Sequence, residues 1–357
     1  MNLNFKDKES IREFLKRDKH KLLEGMVVEE IFMEDIALSK NWNPWMSKGW
    51  WSIRNPFNFG QYILFHVSSH LPFTADIEIY KLLSQKNIQC YHVLLVNNDL
   101  YFLDLLAYNL DTQIDKSNYI SKSEFLEKYG SNSQDRDILL AEESTRNIFN
   151  QERAISFFES QNLLEEVALQ RYFANYFLTV CLDTYPVNLD AFIIFDDGPA
   201  VLEIKFKYPD SGGHYGINKG QAALFRWLMN LGFNVYHYIA DNPTGDKKYG
   251  IFDVINSAKV SNIFYWKYKQ LTSSELLTNH ATAPKETNIS GKKPVDYIPI
   301  TANSFINTQI IVGQHIDTTN IARESCTRSG CSGFREIAKW NNGYFWGCTN
   351  FKNHKKL

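Results

Sequence analysis

Three charged residues in an otherwise apolar stretch are the strongest chemical signal in the chain: Asp190, Glu203 and Lys205. They lie within residues 189–207, which predict two apolar strands joined by a tight Asp-Asp-Gly-Pro turn. A hairpin folded about residues 197–198 places Asp190 opposite Lys205, and Glu203 shares that face because side chains two apart on a strand point the same way. Such a group is costly to bury without compensation, which a divalent cation on the carboxylates would supply.

The elements around this hairpin predict the layers that position it. Residues 154–180 read as a helix, residues 208–216 as a polar Gly-rich loop, residues 219–231 as a second helix, and residues 234–239 as a further strand. The order helix, strand, strand, helix, strand is typical of an α/β fold with a mixed sheet flanked by helices.

Aspartate, about a dozen residues, then Glu-x-Lys on a hairpin in this order of elements resembles the PD-(D/E)xK nuclease superfamily. That group includes restriction endonucleases, Holliday-junction resolvases and RecB-like exonucleases. The chain departs from it at Leu189, where the family has proline. The resemblance implies a restriction-endonuclease-like core in which Asp190, Glu203 and the backbone carbonyl of Ile204 bind Mg²⁺ or Mn²⁺. It also implies that Lys205 is the partner of the attacking water.

Two further positions resemble the same superfamily, whose members often carry a glutamate on the helix before the hairpin and a glutamine that opens the next one. Glu165 and Glu166 are the candidates for the glutamate. Glu166 shares a helix face with Leu169, whereas Glu165 falls at its edge, so we select Glu166 as a further Mg²⁺ ligand. Gln221 stands at the glutamine position.

This set of groups suits phosphodiester hydrolysis. The cation would polarise the phosphate and lower the pKa of a bound water, and a lysine would stabilise the developing charge. The alternative is an ion pair that only holds the sheet together. Two points argue against this alternative. The carboxylates outnumber the lysine, and a buried ion pair contributes little net stability.

Four C-terminal residues form a second candidate metal site: Cys326, Cys331, Cys348 and His354. Two ligands from each of two short turns make a tetrahedral zinc site, which can fold a segment too small for its own core. Residues 345–351 resemble the zinc ribbon of bacterial type IA topoisomerases, which implies a Cys₃His site for Zn²⁺ here. The chain departs from that motif in its final histidine and in the four residues between the first two cysteines.

The C-terminal segment is basic, although the whole chain has a net charge of −2. Residues 323–357 contain seven Lys or Arg against two Glu, which suits the phosphates of a nucleic-acid strand. Aromatic rings that could stack on bases are interleaved with them: Trp340, Tyr344, Phe345, Trp346 and Phe351. A disulfide and a protein-binding ribbon are the alternatives.

Composition divides the 357 residues into four segments. They are an N-terminal α/β domain of unknown role (1–149), the nuclease domain (150–271), a linker rich in Thr, Asn, Ser, Lys and Pro (272–322), and the zinc ribbon (323–357). Residues 41–51 hold four of the eight tryptophans, which either stack on bases or close a core. No internal repeat is visible.

The sequence therefore predicts a magnesium-dependent endonuclease or exonuclease that acts on DNA in restriction, phage defence or repair. A polar N-terminus and the lack of a long apolar run favour a cytoplasmic protein without membrane contact. A homodimer is left open. The alternatives are a nuclease that acts on RNA and a non-catalytic nucleic-acid-binding protein on a nuclease scaffold.

Overall fold

The computed structural model describes residues 3–129, 147–242, 244–245, 249–261, 264–278, 281–282, 296–341 and 343–356. The helices are α1 (Lys8–Leu15), α2 (His20–Phe32), α3 (Thr74–Gln85), α4 (Lys122–Lys128), α5 (Ile148–Ser160), α6 (Leu164–Tyr172), α7 (Lys219–Asn230) and α8 (Ile251–Ser261). Short π-helical segments, Met33–Ala37 and Phe173–Cys181, continue α2 and α6. None of the helices in these ranges has the length and apolar content needed to cross a membrane.

The strands are β1 (Met46–Arg54), β2 (Tyr62–Ser68), β3 (Cys90–Val96), β4 (Asp99–Asp104), β5 (Ile120–Ser121), β6 (Val187–Phe195), β7 (Gly198–Lys207), β8 (His214–Asn218), β9 (Asn234–Asp241), β10 (Tyr265–Gln270), β11 (Ala281–Thr282), β12 (Asp296–Thr301), β13 (Ile306–Ile311), β14 (Arg335–Trp340) and β15 (Gly343–Cys348). A ten-stranded sheet runs in the order β13-β10-β9-β7-β6-β1-β2-β3-β4-β5. It has parallel and antiparallel pairs and is flanked by helices, which confirms the predicted α/β class with a large mixed sheet.

One topology occurs twice in this sheet, although the sequence shows no repeat. We define the first repeat as α1 to β4 and the second repeat as α5 to β10. Strands β1-β2-β3-β4 pair antiparallel, parallel and antiparallel, and strands β6-β7-β9-β10 pair in the same way. Helix α3 connects the parallel pair of the first repeat, and α7 lies on the corresponding connection of the second. The antiparallel pair β1/β6 joins the repeats at the centre.

The two repeats exchange their N-terminal helices. Helix α2 packs against α5 and lies on β7, whereas α6 packs against α1 and lies on β2. Each helix is held by a buried apolar face, such as Val27, Val28 and Phe32 on α2. The helix that covers each β-hairpin therefore comes from the other repeat.

The central hairpin differs from its predicted register. Phe195 pairs with Gly198, so the turn contains only Asp196 and Asp197, and Gly198 (φ +126°) already belongs to β7. Extending this pairing brings Asp190 level with Glu203, so the expectation that Asp190 lies opposite Lys205 was wrong by two residues along the strand. A glycine tolerates the positive φ that lets the strand begin directly after a two-residue turn.

The helix predicted over residues 154–180 is interrupted. Helix α5 ends at Ser160, and Asn162 adopts a left-handed backbone (φ +58°) before α6 begins. An asparagine tolerates this conformation better than most residues, and it stops the helix there.

Described residues of the predicted linker take part in the sheets. Strand β12 pairs with β8 in a small three-stranded sheet, and β13 pairs with β10 at one edge of the large sheet. Val312, which directly follows β13, is fully buried. The predicted boundaries between the four segments stay a prediction, but the large sheet contains strands from the first three of them.

The tryptophan-rich stretch mainly contributes to the core. Trp50 and Trp51 lie on β1 and are buried, whereas Trp45 remains half-exposed. Core closure therefore applies to the first two, whereas Trp45 has an exposed ring surface of the kind that base stacking requires.

Candidate functional site

The structure brings the three predicted hairpin residues into direct contact. Asp190 and Glu203 are buried at 2% and 1% exposure. The Lys205 Nζ lies 2.6 Å from Asp190 Oδ2 and 2.9 Å from Glu203 Oε1. Asp190 also accepts hydrogen bonds from the backbone N–H of Ile204 (2.6 Å) and from Asn188 Nδ2 (2.8 Å), which fix its orientation.

Gln221, the glutamine selected from the sequence, lies at the same place. The side chain of Asn218 caps α7 by accepting a hydrogen bond from the Gly220 N–H. This start point puts Gln221 in the first turn, from which its Nε2 donates to Glu203 Oε2 at 2.6 Å. One carboxylate oxygen of Glu203 thus contacts an amide and the other an ammonium.

A third acidic residue, Glu29, belongs to this group and was missed from the sequence. It lies on α2 and is half-buried. Burial raises its pKa well above the usual range, and the negative charge of Asp190 raises it further. The available signal was a pair of glutamates inside the apolar helix α2, but that helix lies far from the hairpin in the chain. We call Glu29, Asp190, Glu203, Lys205 and Gln221 the carboxylate cluster.

Glu166 has other partners. Its Oε2 accepts hydrogen bonds from the backbone N–H and the hydroxyl of Ser69, at 3.2 and 3.1 Å, and its Oε1 accepts one from Gln170 Nε2 at 3.0 Å. These contacts follow from the exchange of helices, because α6 covers β2 rather than the hairpin that follows it in the chain. The predicted metal-binding role of Glu166 stays a prediction.

The electrostatics of the carboxylate cluster indicate an excess of negative charge. Burial and the neighbouring Asp190 raise the pKa of Glu203 to about 8, although Lys205 acts in the opposite direction. Burial alone would lower the pKa of Lys205, but Asp190 and Glu203 together raise it. Burial lowers the pKa of the adjacent Lys207 to about 8, so Lys207 holds its proton less tightly than an ordinary lysine and is a weak second source of positive charge.

The carboxylate cluster opens into a cavity of about 1470 Å³. This volume exceeds the roughly 300–1,000 Å³ of pockets for small molecules. Lys48 lies on its wall and pairs with Glu30 at 2.8 Å. The cationic residues that line it are Lys21, Lys48, Arg54, Arg171 and Lys205.

The four predicted zinc ligands also come together. The ligand atoms of Cys326, Cys331, Cys348 and His354 all lie within 4.8 Å of one another, so this Cys/His cluster could hold a metal such as zinc. Cys331 Sγ lies 3.6 Å from Cys348 Sγ and 3.2 Å from His354 Nε2. Zn–S bonds of about 2.3 Å place tetrahedral sulfurs roughly 3.8 Å apart, close to the first distance.

Backbone groups of the two turns support the Cys/His cluster. The N–H groups of Gly333 and Asn350 donate to the Sγ atoms of Cys331 and Cys348, each at 3.3 Å. A Cβ at Gly333 would lie 2.8 Å from the Cys348 sulfur, so only glycine fits there. Such N–H donors stabilise thiolates.

The C-terminal hairpin packs on the rest of the protein. Ile337 is buried in an apolar cluster with Val254 of α8 and two aromatic residues, and the Trp346 ring lies 4.6 Å from the Tyr249 ring. Phe345 and Phe351 are exposed. The predicted aromatic surface is therefore divided, because Trp346 contributes to packing while these two rings face solvent.

The chain matches no family model, no curated protein and no solved structure. A functional assignment therefore depends on the two clusters themselves.

Proposed function

We propose that the protein is a metal-dependent nuclease that hydrolyses phosphodiester bonds in DNA. The observation that carries this proposal is that Asp190 and Glu203, both buried, share the single ammonium group of Lys205. The charges of Asp190 and Lys205 also act on the pKa of a third carboxylate, Glu29. Three carboxylates beside one cation leave negative charge that a divalent ion would neutralise. Hard oxygen ligands are those that Mg²⁺ and Mn²⁺ prefer.

The residues present fit such an ion. Asp190, Glu203 and Glu29 would hold it together with the backbone carbonyl of Ile204, and it would supply charge neutralisation at the phosphate and an acidified water. Lys205 would position that water and stabilise charge on the phosphate oxygens. Gln221 orients the carboxylate of Glu203 through its 2.6 Å hydrogen bond.

The overall reaction is a hydrolysis. The water oxygen forms a bond to phosphorus, the bond from phosphorus to one sugar oxygen breaks, and that oxygen takes up a proton. The role of the chain is to fix the geometry and to stabilise the charge, which is where most catalysis of phosphoryl transfer comes from.

A purely structural role for the cluster is less consistent with its electrostatics. A balanced ion pair would keep each carboxylate in its charged form, whereas the raised pKa values of Glu29 and Glu203 indicate that Lys205 does not balance them. This observation favours an enzyme over a non-catalytic binding protein on a nuclease scaffold.

We further propose Zn²⁺ as the metal of the Cys/His cluster and nucleic acid as the ligand of its exposed face. Three thiolates and one imidazole are a typical structural zinc set. Phe345, Phe351 and Lys352 are exposed beside it, so bases could stack on the rings while phosphates contact the cations.

The test is a cleavage assay on duplex DNA, single-stranded DNA and RNA with Mg²⁺ or Mn²⁺. We expect wild-type protein to cut DNA only with added metal, and Lys205→Met to lose this activity while it keeps its melting temperature within a few degrees. Glu127→Gln, an exposed glutamate on α4, is the matched control. Cleavage of RNA alone would change the proposed substrate from DNA to RNA. If none of the substrates were cleaved, the proposal that the protein is an enzyme would be refuted.

A further inference from the structure

The topological repeat places a second set of residues at positions equivalent to the carboxylate cluster. In the first repeat, His66 pairs with Trp50 across the antiparallel strands and with His92 across the parallel ones. In the second repeat, Glu203 lies level with Asp190 and pairs with His237. Trp50 therefore corresponds to Asp190, and His66 corresponds to Glu203.

The next strand positions and the following helices agree with this alignment. Ser68 follows His66 by two residues, as Lys205 follows Glu203. Asp76 lies in the first turn of α3 with its Oδ1 3.7 Å from His66 Nε2, as Gln221 lies in the first turn of α7 beside Glu203. The buried residues that follow keep the same spacing in both helices: Ile79, Tyr80 and Leu83 in α3, and Leu224, Phe225 and Leu228 in α7.

The exchanged helices supply the fifth position. Aligning their buried faces (Leu23 with Leu164, Phe32 with Phe173) makes Glu29 of α2 correspond to Gln170 of α6. Gln170 Nε2 donates to the carbonyl oxygen of Val67 at 2.6 Å. Val67 follows His66 as Ile204 follows Glu203, so an amide donor approaches the carbonyl that corresponds to the proposed metal ligand.

The first repeat therefore lacks what a hard cation requires. The positions that correspond to Asp190, Glu203 and Glu29 are occupied by Trp50, by His66 and, from the exchanged helix α6, by Gln170. The Trp50 ring stacks on the His66 ring at 4.8 Å. Asp76 already accepts hydrogen bonds from Ser47 Oγ at 2.5 Å and from the Phe73 N–H at 2.8 Å. Imidazole, indole and amide groups cannot replace a set of carboxylates around Mg²⁺.

Both sets of residues nevertheless line one cavity, where His66, Ser68 and Asp76 lie together with Lys205 and Gln221. A duplex has local two-fold symmetry between its strands, and two-fold proteins match it. We propose that the second repeat cuts one strand of a duplex while the first repeat only holds the other, so that the protein nicks DNA. This inference rests on the proposed nuclease function and concerns the number of strands cut per binding event.

The experiment follows supercoiled plasmids, with and without methylated bases, in Mg²⁺ or Mn²⁺ at limiting protein. We expect open circles to accumulate at least tenfold over linear DNA when half of the supercoiled form is gone. Linear DNA that appears together with the first loss of supercoils would overturn the inference and leave the nuclease intact. No loss of supercoils from any plasmid would count against the nuclease function itself.

A second measurement separates one active centre from two. A duplex that the protein cuts, labelled on each strand in turn, should be cleaved on one strand only, and Glu203→Gln should abolish all cutting. Circular dichroism would show whether that variant keeps its fold. A folded Glu203→Gln protein that still cuts either strand would place a second active centre elsewhere and overturn the inference.

Discussion

The carboxylate cluster and the Cys/His cluster are both candidate metal sites, but they are assembled in opposite ways. The carboxylate cluster draws its members from α2, β6, β7 and α7, and its acidic groups on the sheet are buried. The Cys/His cluster takes all its ligands from residues 326–354, on two turns at the protein surface. A site for chemistry requires a rigid scaffold that holds several elements, whereas a structural site can order the short segment that contains it.

The donor atoms differ as much as the assembly does. Carboxylates and a backbone carbonyl favour Mg²⁺ or Mn²⁺, and thiolates with an imidazole favour Zn²⁺. The two sites should therefore be separable: a change in one should remove its own metal and function while the other remains.

The largest effect is expected at the centre of the carboxylate cluster. Asp190→Asn removes one negative charge from the proposed metal site and should reduce the rate of DNA cleavage by about 10³-fold or more. The measurement is the initial rate under Mg²⁺ saturation, together with zinc content by mass spectrometry, which should not change.

The matched control for this variant is Asp111→Asn, an aspartate whose side chain is 84% exposed. It should cleave DNA at the wild-type rate. If Asp190→Asn retained more than a tenth of the activity while folded, Asp190 would not be a metal ligand of the active centre.

A smaller but still large effect is expected at the Cys/His cluster. Cys348→Ser removes a soft ligand from a four-ligand site, so bound zinc should fall from about one per chain to nearly none. Binding of single-stranded DNA should weaken because the hairpin β14/β15 loses its order.

The matched control is Cys90→Ser, a buried cysteine outside the cluster, which should keep its zinc. Metal-dependent cleavage of a short duplex should persist in Cys348→Ser. Equal zinc in Cys348→Ser and wild type would show that the four residues are close without binding the metal.

How far each site could be predicted follows from the same contrast. The four residues of the Cys/His cluster were all selected from their spacing and do lie together, because that site is local in the chain. The strand pair that carries Asp190, Glu203 and Lys205 was predicted as well, because two apolar runs on either side of a turn sequence indicate a hairpin, although its register differed by two residues. Gln221 was identified because it opens the helix that the same unit requires.

Glu29 could not be found in this way. The helix expected to approach the hairpin was the one before it in the chain, which pointed to Glu166. The exchange of α2 and α6 between the repeats instead brings α2 onto β7, and exchange is a property of tertiary packing that local patterns do not encode. The repeat itself was invisible because the corresponding residues share burial and spacing but few side chains.

An intermediate effect should test the contribution of this distant helix. Glu29→Gln keeps the size of the side chain and removes its charge, so we expect cleavage to fall by roughly 10- to 100-fold and the Mg²⁺ concentration for half-maximal rate to rise. Glu34→Gln, an exposed glutamate in the π-helical segment after α2, is the control. An unchanged metal requirement in Glu29→Gln would remove Glu29 from the site.

The smallest effect is a pH dependence that only the carboxylate cluster should show near neutrality. The pKa of Glu203 is raised from 4.5 to about 8 because burial and Asp190 disfavour its charge, so a metal ion must displace its proton. Mn²⁺ affinity should rise by up to roughly tenfold per pH unit from pH 6 and level off above about 8. Titration calorimetry would measure this slope, and Glu203→Gln should flatten it.

The same shift determines how the stability of the metal-free protein depends on pH. A carboxyl whose pKa is higher in the folded state binds its proton more tightly there, so its favourable contribution is present below about pH 4.5 and is lost as the pH rises through about 8. Denaturant unfolding should therefore show lower stability at pH 8 than at pH 6 without Mg²⁺, and a smaller difference with it. Stability that rises over this range in the metal-free wild type, but not in Glu203→Gln, would mean that Lys205 already neutralises the cluster and that no cation is needed there.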